Sequence, residues 1–218
     1  MYDVGDIIVS NEYDASRVPA SKGWQMEKIT ATLKMNRGQF EIHCFDQGEE
    51  HPSIALTFGD IRTGVPLVRI QSECLTGHVF SSLSCDCAGQ RDDALDKIVE
   101  AGSGILIHLW QEGRGIGLAD KMRAYARQMT GVDTVDANLQ IGREIDERTY
   151  DGAAMVLKVL GVAKVRLITN NPTKAAGLVG LGIEVAESIS LPPRVNEINR
   201  KYLQTKIDRL GHTYELNS

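Results

Sequence analysis

Ten residues separate Cys74 from Cys85, and one separates Cys85 from Cys87. A thiolate binds zinc at about 2.3 Å, and a catalytic zinc takes three protein ligands and keeps a fourth position for water. Three clustered sulfurs with no evident fourth ligand match that open arrangement. Buried cysteines also serve as small hydrophobes, but Glu73 and Asp86 beside them suit a plain core poorly. Some 25 residues on comes Gln111-Glu112-Gly113-Arg114-Gly115-Ile116-Gly117-Leu118. Glycines there let backbone N–H groups approach phosphate oxygens, a helix N-terminus favours negative charge, and Arg114 adds a fork of donors. The spacing is neither that of a dinucleotide loop nor that of a P-loop. A third stretch, Gly142-Arg143-Glu144-Ile145-Asp146-Glu147-Arg148, packs acid against base ahead of a helix. On its residues alone, a capped helix with a solvated charge run competes with a catalytic role.

These stretches need elements to hold them. Alternation at Phe40, Ile42 and Cys44 predicts a half-buried strand over 39–45, with Cys44 a core residue rather than a ligand. Further strands are expected over 53–58 and 66–71, the latter running straight into Ser72-Glu73-Cys74. Ala94, Leu95, Ile98 and Val99 predict a helix from Ala88 to Ala101, stopped by Gly102. Gly104 to Trp110 reads as a buried strand. Leu118 to Met129 reads as a helix with Met122, Tyr125, Ala126 and Met129 on one face. Helices are also expected over 150–160, from Pro172 to about Gly180, and over 197–210, with strands at 165–169 and 183–186. Strands and helices alternate through the second half, which predicts an α/β fold with parallel strands. The strand-rich N-terminal third makes the sheet mixed, or joined to a small barrel-like portion. Residues 1–30 form an N-terminal extension with no assigned role, including a loop at 18–23, and residues 31–218 form a single domain.

Composition sets outer limits. Hydrophobic residues make up 42% and charged residues 24% of the 218, ordinary for a soluble globular protein. No apolar run approaches the roughly 20 residues that cross a bilayer, and the N-terminus lacks the pattern of a secretory signal. Clustered cysteines argue for metal and a reducing cytoplasm rather than a disulfide framework. A net charge of −5 offers no overall footprint for nucleic acid. A polyphosphate would need local positive charge, and the arginines gather between positions 69 and 148.

Ser-Glu-Cys-Leu-Thr-Gly (72–77), Cys-Asp-Cys (85–87), Gln-Glu-Gly-Arg-Gly-Ile-Gly-Leu (111–118) and Asp-Glu-Arg (146–148) together resemble the GTP cyclohydrolase II family. The resemblance spans roughly residues 38–212. It implies one zinc ion held by Cys74, Cys85 and Cys87. It implies contacts to the nucleotide from Arg69, Gln71, Ser72, Glu73, Gln90, Glu112, Gly113, Arg114, Thr134, Thr169 and Lys174. Asp146 would be the proton acceptor and Arg148 would act at the α-phosphate, where the family's arginine has been proposed as a nucleophile. A guanidinium is always protonated, so stabilising phosphoryl charge is the better physical role. Tyr125 matches a tyrosine that bears on whether the ring-opened formyl compound loses formate. The implied reaction is hydrolysis of GTP at C8 of the guanine ring, with release of formate and, with Mg2+, of pyrophosphate. The product would be 2,5-diamino-6-ribosylamino-4(3H)-pyrimidinone 5′-phosphate. A cytoplasmic homodimer is the implied assembly, and the length leaves no expectation of the dihydroxybutanone phosphate synthase domain often fused to this family.

The chain departs from the family pattern at four places. Ser84 and Trp110 stand where arginines are usual, Gln71 where histidine is common, and Leu191-Pro192-Pro193-Arg194-Val195-Asn196 replaces the usual segment after the last strand. Removing two arginines takes away positive charge, and each charge-assisted hydrogen bond is worth about 1.5–3 kcal/mol. Two alternatives follow. One is a paralogue that stops at the formamidopyrimidine or uses another nucleotide. The other is an inactive nucleotide-binding protein with structural zinc.

Overall fold

The computed structural model describes residues 26–48 and 50–216. Seven strands form one sheet in the order β1-β2-β3-β5-β4-β6-β7. β1 (Glu27–Met35), β2 (Gly38–Asp46) and β3 (Ser53–Phe58) are an antiparallel meander, and β3 pairs antiparallel with β5 (Gly104–Leu109). From β5 onward the sheet is parallel, through β4 (Leu67–Ser72), β6 (Lys164–Ile168) and β7 (Glu184–Ile189). The fold is therefore α/β with a mixed sheet, and no separate barrel is present among the described residues.

The helices divide between the two faces of the sheet. α2 (Cys87–Glu100) lays Ala94, Leu95 and Ile98 on one face, against Phe40, Leu67, Leu106 and Ile168. α5 (Asp151–Val159) and α6 (Pro172–Gly180) cover the other, where Ala153, Val156, Leu157 and Leu178 meet Val68, Ile70, Ile105, Ile107 and Leu167. Side chains alternate along a strand, so β4 gives Leu67, Arg69 and Gln71 to the α2 face and Val68 and Ile70 to the other. Five of its six residues are buried, as expected of a central parallel strand covered on both sides. The chain leaves β4 toward β5 on one side, then crosses back to β6 on the other. The carboxyl ends of these three strands therefore open onto one crevice, the usual place for a ligand in an open parallel sheet.

Several elements differ from their sequence reading. β1 begins at Glu27, so the sheet takes in residues that sequence reading left in the N-terminal extension; its charged, half-exposed pattern hides the alternation. The loop at 18–23 lies outside the described residues. In β2 the most buried positions are Phe40, His43 and Phe45, while Ile42 and Cys44 are only half-buried. His43 is admitted because Thr30 and Thr57 hydrogen-bond its two ring nitrogens, at 2.9 and 3.0 Å. α3 (Gly117–Gln128) buries Lys121 and Ala124 and leaves Met122 and Met129 exposed, because its inner face meets a polar site rather than an oily core. α4 (Thr134–Gln140), capped by the Asp133 carboxylate, is too short to show a helical period. α7 (Arg200–Leu210) starts three residues later than expected, since Asn196 accepts from the N–H groups of Ile198 and Asn199 and holds a turn there.

Candidate active site

β4 ends at Ser72, and Cys74 follows as the residue before a one-turn helix, α1 (Leu75–His78). Cys85 and Cys87 lie at the start of α2. The three sulfurs lie within 4.8 Å of one another, and those of Cys74 and Cys85 are 3.7 Å apart. Tetrahedral bonds of about 2.3 Å would hold sulfurs about 3.8 Å apart, so the triangle fits zinc. Lys121 Nζ lies 3.4 Å from Cys74 Sγ, and also donates to Glu112 at 2.7 Å and Thr76 at 2.9 Å. Hydrogen bonding from Cys85 and Cys87, with the Lys121 charge, holds the Cys74 thiol well below its usual range. Burial opposes the Lys121 ammonium, but Glu112 and Cys74 more than offset it. The fourth cysteine, Cys44, lies outside the cluster.

The glycine stretch after β5 folds into a 3-10 turn over Glu112–Gly115. Glu112 faces inward and serves as an anchor: its carboxylate accepts from Leu75 N–H at 2.6 Å and Gly113 N–H at 2.8 Å. The loop is thereby tied to the residue after Cys74. Gly113, Arg114, Gly115 and Gly117 all have positive φ, and Arg114 at φ 66° is the one that pays a steric cost for it. Its guanidinium donates to the carbonyl and hydroxyl of Thr134, both at 2.9 Å, leaving Nη1 buried without a partner.

Arg69, Arg114, Lys121, Arg148, Lys174 and Lys206 all line one cavity with the three cysteines; the acids lining it are Glu73, Asp86 and Glu112. Burial draws Arg69 down to about 10, and Arg69 donates to Gln71 Oε1 at 3.0 Å. Lys174 Nζ donates to the Ile70 carbonyl at 2.7 Å, and burial followed by the charges of Arg69 and Arg148 presses it far below its usual value. Arg148 forms a two-pronged pair with Asp146, which holds that carboxyl low despite burial. Gln71, Ser72, Glu73, Gln90, Gly113, Tyr125, Thr134 and Thr169 complete the predicted set at this cavity. Asp146 is the exception, reaching it only through Arg148. Ser72 Oγ, Gln111 Oε1 and His212 Nδ1 are buried and unpartnered, as is Arg114 Nη1, and each belongs to a lining residue. Buried polar atoms are ordinarily bonded, so this wall fits a polar ligand, with Arg114 Nη1 the donor suited to an anionic group on it and Gln111 Oε1 an acceptor for a donor group.

The sequence model of GTP cyclohydrolase II matches residues 26–190. The chain belongs to the GTP cyclohydrolase II family. That family is one of hydrolases that act on GTP. Among its relatives, GTP cyclohydrolase-2 of Pseudomonas paraeruginosa is 49% identical over 80% of this chain and 86% of that protein. Riboflavin biosynthesis protein RibBA of Phocaeicola vulgatus is 46% identical over 87% of this chain. The chain spans only 47% of that protein's length. A solved two-domain 3,4-dihydroxy-2-butanone 4-phosphate synthase, RibBX from A. baumannii, aligns at a TM-score of 0.43 and 19% identity, over 78% of this chain and 41% of that one.

Within this cyclohydrolase II chain the unusual residues have separate fates. Trp110 is turned away from the cavity, stacking on His51 at 4.9 Å and donating to the Pro52 carbonyl at 3.0 Å. Ser84 is exposed and also lies off the cavity wall. Gln71 does line it, bonded to His78 at 3.1 Å. The Leu191–Asn196 segment braces the site from behind, its Leu191 and Pro192 carbonyls accepting from Asn170 and Gln90. Sequence reasoning missed Lys121, Tyr202, Lys206, His212 and Tyr214. Lys121 sits one helical turn before Tyr125 on the cavity side of α3, a spacing that could have revealed it.

Proposed function

We propose that the protein hydrolyses GTP, opening the guanine ring at C8 and releasing formate and pyrophosphate to give 2,5-diamino-6-ribosylamino-4(3H)-pyrimidinone 5′-phosphate. One observation carries this reading: a three-cysteine triangle and a cluster of buried cations share one cavity. Cys74, Cys85 and Cys87 would hold a zinc ion, which when bound would supply the Lewis acidity that makes water a nucleophile near neutral pH. Arg69, Arg114 and Arg148 neutralise the triphosphate, Lys174 is a hydrogen-bond donor to it, and Mg2+ arrives with the phosphates as part of the substrate. Arg148 stabilises charge on the α-phosphoryl group as pyrophosphate leaves. Asp146, already ionised and paired, orients Arg148; acting as proton acceptor requires the pair to open. Tyr125, its hydroxyl 3.4 Å from Thr76 Oγ1 and its pKa raised by burial, stays protonated and is a donor for the formamide step. Ser72, Glu73, Gln90, Glu112, Gly113, Thr134 and Thr169 shape the nucleotide's surroundings, and Gln71 does so where histidine is common. Among the described residues no helix is long and apolar enough to cross a membrane; a cytoplasmic homodimer is part of the same reading.

The test is to incubate the zinc-loaded protein with GTP and Mg2+ and to quantify formate, pyrophosphate and the pyrimidine by mass spectrometry. Equal amounts of all three are expected. A product that keeps its formyl group would limit the activity to ring opening, and zinc-bound protein without turnover would overturn the reading.

A further inference from the structure

The family match stops at residue 190, yet the cavity wall does not. Tyr202, Lys206 and Leu210, spaced four apart on one face of α7, line it together with His212 and Tyr214. Apolar burial does not explain why α7 sits here, since Leu203 and Thr205 are its only buried residues. Polar contacts hold it instead. Arg209 reaches Asp133 at 2.8 Å and Asp136 at 2.7 Å, and Thr213 N–H donates to the Asn170 carbonyl at 3.1 Å. On the inner face, Lys206 Nζ lies 3.6 Å from the carboxylate of Asp86, the residue between Cys85 and Cys87. It also lies 4.5 Å from the centre of the Tyr202 ring. Asp86 is almost wholly buried, a poor place for a carboxylate without a cation. Tyr202 lies within electrostatic reach of Arg114, Arg148 and Cys87, which line the same cavity.

We propose that α7 is a working wall of the active site: Lys206 positions the Cys85–Asp86–Cys87 loop through Asp86, and Tyr202 donates its hydroxyl to the sugar–phosphate end of the bound nucleotide. This rests on the nucleotide reading above for Tyr202, while the Lys206 half concerns only the cysteine loop. Tyr202 is thus a substrate-contacting residue and Lys206 a positioning residue. A helix that merely covered the cavity would have no need of either polar group.

Two variants test the proposal, each checked for wild-type secondary structure by circular dichroism. Tyr202→Phe is expected to raise KM for GTP about tenfold, the effect of losing one hydrogen bond to a charged group, with zinc content unchanged. Lys206→Met is expected to lose zinc to a chromophoric chelator about 10- to 100-fold more readily, and Lys206→Arg to restore retention. If Lys206→Met fails to fold, Asp86→Asn tests the same pair from the other side. A wild-type KM in Tyr202→Phe, or wild-type zinc retention once the Lys206–Asp86 pair is broken, overturns the proposal. Absence of GTP turnover by the wild-type protein would instead strike at the nucleotide reading, and the zinc assay would still report on Lys206.

Discussion

Lys121 places a positive charge where the chemistry of three thiolates needs one. Three thiolates and a divalent cation sum to −1, the Glu112 carboxylate adds a second negative charge, and the one ammonium, 3.4 Å from Cys74 Sγ and 2.7 Å from Glu112, offsets half of that total. Groups just outside a metal's ligands commonly change its affinity 10- to 100-fold. Lys121→Met is therefore expected to weaken zinc binding by about that factor, measured by competition with a chelating dye. The same change strips the buried Glu112 carboxylate of its cation, which costs about 3 kcal/mol or more. Urea titration of the metal-free protein should show that loss; an unchanged midpoint would mean that the pair contributes nothing.

At the scale of elements, two glycines set how closely the site's pieces approach. α1 presents Gly77 to the sulfurs, and a Cβ there would lie 3.0 Å from Cys85 Sγ and 3.2 Å from Cys74 Sγ. Gly77→Ala should push the triangle open, lowering zinc affinity at least about tenfold while the metal-free protein melts close to wild type. Equal zinc affinity would show that the triangle has slack. Gly115 joins the glycine loop to the Asp146–Arg148 segment: its φ is 96°, and a Cβ would meet the Glu147 carbonyl carbon at 2.7 Å. Both the conformation and the contact oppose a side chain. Gly115→Ala is expected to destabilise by about 2 kcal/mol or more and to reduce kcat, because Arg148 is the next residue along.

Across the whole molecule, a net charge of −5 coexists with a cation-lined cavity, and His212 reports that local field. Burial first, then Lys206, Arg148, Lys174 and Arg69, lower its pKa to about 3. In the unfolded chain it returns to about 6.5. Between those values the unfolded state takes up a proton that the folded state refuses, so stability is intact above about pH 6.5 and declines as pH falls toward 3. The decline from this one group is at most about 1.4 kcal/mol per pH unit. His212→Gln should remove that component, seen as a smaller shift of the urea midpoint between pH 7 and pH 5. An identical pH dependence would show that the histidine is already solvated in the folded protein.

The candidate motifs were legible in the sequence because each depends on local spacing, and their resemblance to one family joined them into a single site. Cys-x-Cys, a run of glycines between a strand and a helix, and Asp-x-Arg are close in sequence and must be close in space. The buried strands and the helices with apolar stripes were legible for a similar reason, since period 2 and period 3.6 are imposed by the backbone. What surrounds the site was not. The inner faces of α3 and α7 carry Lys121, Tyr202 and Lys206, polar residues that look solvated until the fold closes them over the cavity. Trp110 and Ser84, conspicuous as missing arginines, turn out to lie off that cavity. Sequence alone determined which residues are candidates for the reacting groups. Only the tertiary structure decided which charges face them, because that depends on how segments a hundred residues apart meet at the ends of β4, β5 and β6.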